Sequence, residues 1–210
     1  MGKIEITKKV LGICATNCYT VVDTETKEAL IIDPADRADV LIRDWKEKGV
    51  TPQAVLLTHG HFDHIGALAG VKKEYPDIKV YAAAAEKEVM ESPALNLSSS
   101  FGAAFTAQAD IYLEDGAEIE VLGRTCKCLL VPGHTKGGMC YYFPEEKVVF
   151  TGDTLFCYSV GRTDFPTGDA RALEEAIREK LFTLPDETLV LPGHDAQTMI
   201  GKEKKGNPYF

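Results

Sequence analysis

The chain has 210 residues, of which 45% are hydrophobic and 26% charged. Those proportions exclude a disordered chain, a collagen-like chain and a coiled-coil rod, and the length suits one domain spanning 1–210. With 23 basic against 32 acidic residues the formal charge is −9, which repels phosphate backbones and anionic lipid and so argues against a nucleic-acid partner.

Strand signals come first in the chain. Residues 4–7 alternate apolar and polar types, and 19–22 and 29–32 are rich in β-formers. A helix is predicted over 36–48, where Ala38, Leu41, Ile42 and Trp45 recur at i, i+3, i+4 and i+7 and Gly49 ends it. Residues 54–57 read as a short buried strand, 65–75 as a second helix, 79–81 as a strand and 84–90 as a short helix. The segment 92–109 is small and polar, with Phe101 and Phe105 set in it, and reads as either a mobile flap or a short irregular helix. Strands follow at 117–121, 125–131, 139–143 and 148–150. A helix is predicted after Asp169, a suitable N-cap, with Leu173, Ala176, Ile177 and Leu181 as its apolar stripe. Residues 188–191 form the last predicted strand, and Lys202-Glu203-Lys204-Lys205 reads as a solvated tail. Strands flanked by helices in both halves predict an α/β fold of mixed sheets covered by helices.

No apolar run approaches the roughly 20 residues of a membrane span, and no apolar leader precedes Ile4. The expectation is a cytoplasmic protein with no membrane partner. Its six cysteines, Cys14, Cys18, Cys126, Cys128, Cys140 and Cys157, show no paired zinc-ribbon spacing. They are expected to be free thiols acting as small core residues.

The five histidines carry the functional reading. His59, His61 and His64 fall in Thr58-His59-Gly60-His61-Phe62-Asp63-His64, just past a strand. His134 and His194 each follow Pro-Gly, and Asp153 lies in Thr151-Gly152-Asp153-Thr154, also past a strand. Four strand ends therefore deliver polar groups to one edge, where α/β sheets place their sites. An extended segment points His59 and His61 to the same side. Asp63 and His64 then begin a helix turned toward the same spot, with Gly60 and Gly66 expected to let the backbone turn. Four ligand-type groups within six residues exceed what one tetrahedral ion uses, so the loop points to two metals. Imidazole and carboxylate suit zinc, iron or manganese. Asp195 is expected to face solvent or support its loop.

These motifs, in this order and spacing, resemble those of the metallo-β-lactamase-fold hydrolases. The likeness runs from Tyr19 to His194 and is nearest the glyoxalase II-like (hydroxyacylglutathione hydrolase-like) branch, in its small stand-alone form. It implies an αββα sandwich of two mixed sheets flanked by helices. It also implies that one metal takes His59, His61 and His134, that a second takes Asp63, His64 and His194, and that Asp153 bridges both. Lactam-cleaving members with a thiolate ligand carry cysteine near this point, so Asp153 counts against β-lactam hydrolysis. Asp63 and Asp153 are the implied catalytic carboxylates, and the implied cofactors are two divalent transition-metal ions, zinc first, with iron or manganese also compatible. Such ions lower the pKa of water to about 7. With Asp63, Asp153 and a bridging hydroxide, the site keeps a charge of about +1, which suits anionic or carbonyl-bearing substrates.

The stretch Gly161-Arg162-Thr163-Asp164-Phe165-Pro166 resembles one found both in small glyoxalase II-like proteins and, up to Phe165, in mononuclear iron persulfide dioxygenases. By that resemblance Arg162 is the substrate-binding cation. The larger glyoxalase II enzymes add a C-terminal helical domain that grips glutathione, which the 16 residues after His194 do not supply. The sequence thus predicts a hydrolase of a small-molecule thioester or related ester. The alternatives are a one-iron sulfur dioxygenase and a non-catalytic metal-binding module. Oligomeric state stays open.

Overall fold

The computed structural model describes residues 2–210. The first sheet opens with two antiparallel strands, β1 (Ile4–Leu11) and β2 (Thr16–Asp23), followed by β3 (Glu28–Ile32). Helix α1 (Ala38–Glu47) leads to β4 (Thr51–Leu56), and the short helices α2 (Phe62–Ile65) and α3 (Leu68–Glu74) lead to β5 (Lys79–Ala83). A 3-10 turn (Ala84–Glu86) and α4 (Lys87–Glu91) precede β6 (Ile111–Leu113). The strand order is β1-β2-β3-β4-β5-β6, antiparallel up to β3 and parallel beyond it.

The second sheet takes β7 (Glu118–Val121), β8 (Arg124–Leu130), β9 (Met139–Phe143) and β10 (Val148–Gly152). A ribbon of β11 (Leu155–Phe156) and β12 (Ser159–Val160) and helix α5 (Ala170–Ala176) follow; a π-helical turn (Ile177–Leu181) extends α5. The chain then returns as β13 (Leu189–Pro192), β14 (Thr198–Met199) and α6 (Ile200–Gly206). The order is β14-β13-β10-β9-β8-β7, with only β10 and β13 parallel.

Strand periodicity explains why the sheets stack between helices. Along β3, Leu30 and Ile32 enter the core between the sheets, while Ala29 and Ile31 face the helices. On β10, Val148 and Phe150 point inward and Val149 outward. Residues alternate faces along a strand, so a continuous apolar run needs cover on both. Trp45 and Leu41 of α1 cover the first sheet, and Leu173, Ile177 and Leu181 cover the second. The Trp45 indole N–H donates to Thr20 Oγ1 at 3.0 Å, which fixes α1 on β2. Arg124 ties the sheets at one end, reaching Asp23 of β2 at 3.1 Å and Glu146 at 2.6 Å. The αββα sandwich of mixed sheets predicted from the sequence is the observed architecture.

Several elements depart from their predicted extents. The single helix expected over 65–75 is two, because the chain breaks at Gly66-Ala67, where the Ala67 N–H donates to Pro34 O. Asp169 does cap α5, accepting from the Ala172 N–H at 3.0 Å. The segment 92–109 is irregular apart from one 3-10 turn at Ser98–Ser100. Asn96 and Ser98 hold it, both donating to Phe105 O. Residues 202–205 are not a solvated tail. They lie in α6, where Glu203 is fully buried and accepts from the Tyr158 N–H, the Thr198 hydroxyl and the Asn207 amide. No helix among the described residues is long and apolar enough to cross a membrane.

Leu30 is fully buried between the sheets. Leu30→Ala should lower unfolding stability by about 2–5 kcal/mol, read as a lower urea midpoint in metal-free protein. An unchanged midpoint would show that the two sheets do not share the core described.

Candidate metal centre

Strand ends build the site. His59 follows β4 by three residues, and His61 is the extended residue that caps α2, which itself supplies Asp63 and His64. His134 lies beyond β8, Asp153 follows β10 directly, and His194 lies two residues past β13. Neither Gly60 nor Gly66 takes a left-handed conformation. The expected glycine turn is therefore absent, and at Gly66 an added Cβ would instead stand 2.5 Å from Ala35 O.

All seven predicted side chains come together. His61 Nδ1 lies 3.1 Å from His59 Nε2 and 3.0 Å from His134 Nε2. His194 Nε2 lies 3.4 Å from Asp63 Oδ2, and His64 Nε2 lies 3.6 Å from the same oxygen. Asp153 sits between the groups: Oδ2 is 3.6 Å from His134 Nε2 and 3.3 Å from His194 Nε2, and Oδ1 is 3.3 Å from His64 Nε2. Three sets, His59/His61/His134, His59/His64/Asp153 and Asp63/His64/His194, each bring ligand atoms within 4.8 Å of one another.

The donor set fits divalent transition metal. His64 Nε2 and Asp153 Oδ1 are buried with no hydrogen-bond partner, a cost the fold sustains only where something else satisfies them. The outward ring nitrogens are held. His64 Nδ1 meets Asp33 Oδ2 at 2.8 Å, His134 Nδ1 donates to Arg162 O at 2.7 Å, and His59 Nδ1 lies 3.2 Å from Thr58 Oγ1. Such partners orient metal-binding imidazoles. Asp33 also accepts from the Thr58 N–H and hydroxyl at 2.7 and 2.6 Å.

Charge divides the cluster. Burial pushes His59 well below the ordinary imidazole value, with His64 and His61 adding to it. Burial also pushes His61 down to about 3 and lowers His134. His64 and His194 go the other way. Burial opposes their protonation, but Asp63, Asp153 and Asp33 raise His64 well above its usual value, and Asp153 and Asp63 raise His194 to about 10. Burial likewise opposes ionisation of Asp63 and Asp153. His64 and His194 outweigh it, holding Asp63 down to about 2 and Asp153 well below the carboxylate range.

Residues the sequence reading passed over complete the site. Thr16 donates its hydroxyl to Asp63 Oδ2 at 2.8 Å. Cys14, expected to be a core residue, is half-buried beside Asp63; burial and the Asp63 and Asp153 charges raise its thiol. Cys18, Cys126, Cys128 and Cys140 are buried as expected, and all six cysteines are free. A cavity of about 270 Å³ opens beside Asp63, walled by Ile13, Phe62, Phe101 and Phe105. Phe62 and Phe101 stack with ring centroids 4.4 Å apart, so the 92–109 segment forms one wall of it. Arg162 is exposed, and its Nε and Nη2 donate to Asp164 at 2.7 and 2.6 Å. Its guanidinium lies 4.0 Å over Phe165, which packs near-perpendicular to the His61 ring with centroids 5.5 Å apart. Asp195 is exposed, and its carbonyl accepts from Lys8 and Asn17.

In metal-free protein at pH 7, His64 and His194 should carry protons while His59, His61 and His134 should not; ring NMR shifts read this directly. The raised value of His194 stabilises the metal-free fold fully below its unfolded value near 6.5, and that contribution fades as pH rises toward about 10. The gap in urea midpoint between wild type and His194→Gln should therefore narrow from pH 6.5 to 10. A gap that widens with pH contradicts the charge division.

Comparison with known proteins agrees with this geometry. The family model of the metallo-beta-lactamase superfamily matches residues 11–194. A "Probable metallo-hydrolase YqgX" of Bacillus subtilis is 39% identical over 202 residues, covering 95% of this chain and 94% of that protein. A "Hydroxyacylglutathione hydrolase GloC" of Haemophilus influenzae is 36% identical over 200 residues, covering 92% of each. Among solved structures, BLEG-1 B3 metallo-beta-lactamase superposes with a TM-score of 0.92 at 39% identity, covering 98% of this chain and 99% of that one. TTHA1623 in a di-iron-bound form superposes with 0.85 at 35%, covering 97% and 100%. With buried histidines and carboxylates gathered at the strand ends of an αββα sandwich, the chain belongs to the metallo-beta-lactamase superfamily.

Proposed function

We propose that the chain is a binuclear metallo-hydrolase that cleaves a thioester or related ester at its carbonyl carbon. The observation that carries this is Asp153, placed between the His59/His61/His134 set and the Asp63/His64/His194 set. His59, His61 and His134 would hold one ion, Asp63, His64 and His194 a second, and Asp153 both. Bound there, divalent metal would supply Lewis acidity toward a carbonyl oxygen and acidify water into the neutral range. The likeness to the hydroxyacylglutathione hydrolase supports the ester class, and the di-iron form of TTHA1623 supports two ions. Zinc is the first expectation, with iron or manganese compatible with the same donors.

The chain's own side chains set the rest. Asp63, whose Oδ2 is anchored by Thr16, lines the cavity and would orient the attacking water. The walls from Ile13, Phe62, Phe101 and Phe105 suit an apolar portion of the substrate. Arg162 is the cation in the loop whose carbonyl holds His134, but Asp164 engages two of its nitrogens and stays ionised, held down to about 2 by that contact. A substrate carboxylate must compete with Asp164 for the guanidinium, so selectivity for charged thioesters should be weak.

Metal analysis of metal-replete protein should give about two ions per chain, the number the donor set can hold. One ion, with oxygen uptake on a persulfide and no ester hydrolysis, would move the reading to the sulfur dioxygenase alternative. Faster turnover of a β-lactam than of any thioester would move it toward lactam cleavage, the activity for which BLEG-1 is named. Metal content without turnover of any of these would leave the binding module.

Asp153→Ala should lose more metal and more rate than His194→Ala, since two ions depend on the carboxylate and one on the imidazole. Equal losses would remove Asp153 from its bridging place. On a panel of charged and neutral thioesters, Arg162→Ala should raise KM more for carboxylate-bearing members, and Asp164→Asn should lower it for the same members. Uniform changes across the panel would make Arg162 a brace for its own loop.

A further inference from the structure

We propose that Glu86 is a positioning residue for the first metal, its carboxylate fastening together the two loops that carry His59, His61 and His134. The inference rests on the metal reading of those three histidines and not on the choice of substrate.

Glu86 ends the 3-10 turn after β5 and is fully buried. Oε2 accepts the Gly60 N–H at 2.7 Å, between His59 and His61. Oε1 accepts the Gly137 N–H at 2.8 Å and the Thr135 hydroxyl at 2.5 Å, next to His134. Both oxygens thus meet backbone N–H groups, which can only donate. A carboxylate satisfies the arrangement; an amide turns an NH2 against one of the two peptides. Lys136, whose charge reaches Glu86, makes its ion pair with Glu88 instead. The hydrogen bonds, rather than an ion pair, therefore hold this buried anion.

Both glycines let the loops close on it. A Cβ on Gly60 would stand 2.8 Å from Met90 Cγ and 3.0 Å from Glu86 Oε2, and one on Gly137 would stand 2.6 Å from the Glu86 nitrogen.

His61 is the ligand that needs this. His64 has Asp33 on its ring, and His134 has the Arg162 carbonyl. His61 Nδ1 meets only the other two histidines, and Nε2 has no partner. Its ring is placed by its backbone and by packing against Phe165. Glu86 holds the peptide nitrogen immediately before it, and the same carboxylate holds the loop of His134. One group therefore sets the separation between the two halves of the histidine trio.

The test loads metal-free protein with cobalt(II) against a competing chelator and follows the cobalt absorption, with His134→Ala and His194→Ala assigning each band to its ion. Glu86→Gln should weaken the first ion by about 10–100-fold, the usual effect of losing a partner behind the ligands, and alter its band while the second ion binds as in wild type. Asp33→Asn, which loses the partner on the His64 ring, should by contrast weaken the second ion. Thr135→Val, which removes one donor and keeps both peptide bonds to Glu86, should give a smaller loss at the first ion, and it decides the matter if Glu86→Gln does not fold. Wild-type affinity and spectrum at the first ion in whichever variant is decisive would overturn the proposal. So would equal weakening of both ions with a lower melting temperature of the metal-free protein, which marks a general packing role. Wild-type protein that binds no cobalt overturns the metal reading itself, a result separate from normal loading with an indifferent Glu86→Gln.

Discussion

Burying imidazoles and carboxylates together at the edge of an apolar sandwich is the constraint on which the rest of the structure turns. His59, His61, His64 and His134 are each at most 3% exposed. Desolvation alone would neutralise every one of them. The two carboxylates are placed unevenly, and that unevenness splits the set. Asp63 and Asp153 lie against His64 and His194, so those two are raised while the His59/His61/His134 trio stays neutral. A metal ligand must be deprotonated. In the metal centre proposed above, the trio would take a cation without losing protons, whereas the Asp63/His64/His194 set would release protons for one.

Two buried carboxylates outside the cluster brace these two halves. Asp33, where the chain leaves β3, grips Thr58 and the ring of His64. Glu86, past β5, grips the peptides beside His61 and His134. Strands β3, β4 and β5 are parallel neighbours, so their ends emerge on one edge. The central loop after β4 is thus flanked by a carboxylate from each side. This is a consequence of topology: a parallel sheet presents successive strand ends together.

The sequence carried the seven clustered side chains because their spacing is local. H-x-H-x-D-H fits one extended turn entering a helix, and each remaining residue sits just past a β-rich run. The inter-sheet core was legible for the same reason, through the period-2 pattern of residues such as Leu30 and Ile32. Asp33, Glu86 and Thr16 were not legible. Glu86 is 26 residues from Gly60 and 51 from Gly137, and nothing in its own neighbourhood marks it as buried. Helix α6 was missed because Lys202, Lys204 and Lys205 dominate its composition, while its anchor, the buried Glu203, is recognisable only through Tyr158, Thr198 and Asn207. Strands of two or three residues such as β6 and β14 are too short for any period to register.

The division of labour around the cluster bears on what such a site can select. Phe165 packs near-perpendicular to His61 and carries the Arg162 guanidinium over its face, so the cation of that loop rests on a ring that itself contacts the histidines. Asp164 answers the charge of Arg162 in place, and the pair is exposed and screened. Asp63 also borders a largely apolar cavity whose walls come from separate segments, the β1–β2 turn at Ile13, α2 at Phe62 and the 92–109 segment at Phe101 and Phe105. Apolar contact scales with area and needs no fixed partner. A site arranged this way holds its reacting groups rigidly through buried carboxylates and meets substrate through surface that is broad and weakly directional. In the proposed hydrolase, precision at the chemistry and latitude at the substrate would then share one cause, since Asp33 and Glu86 fix the histidines from behind while apolar side chains wall the cavity beside Asp63.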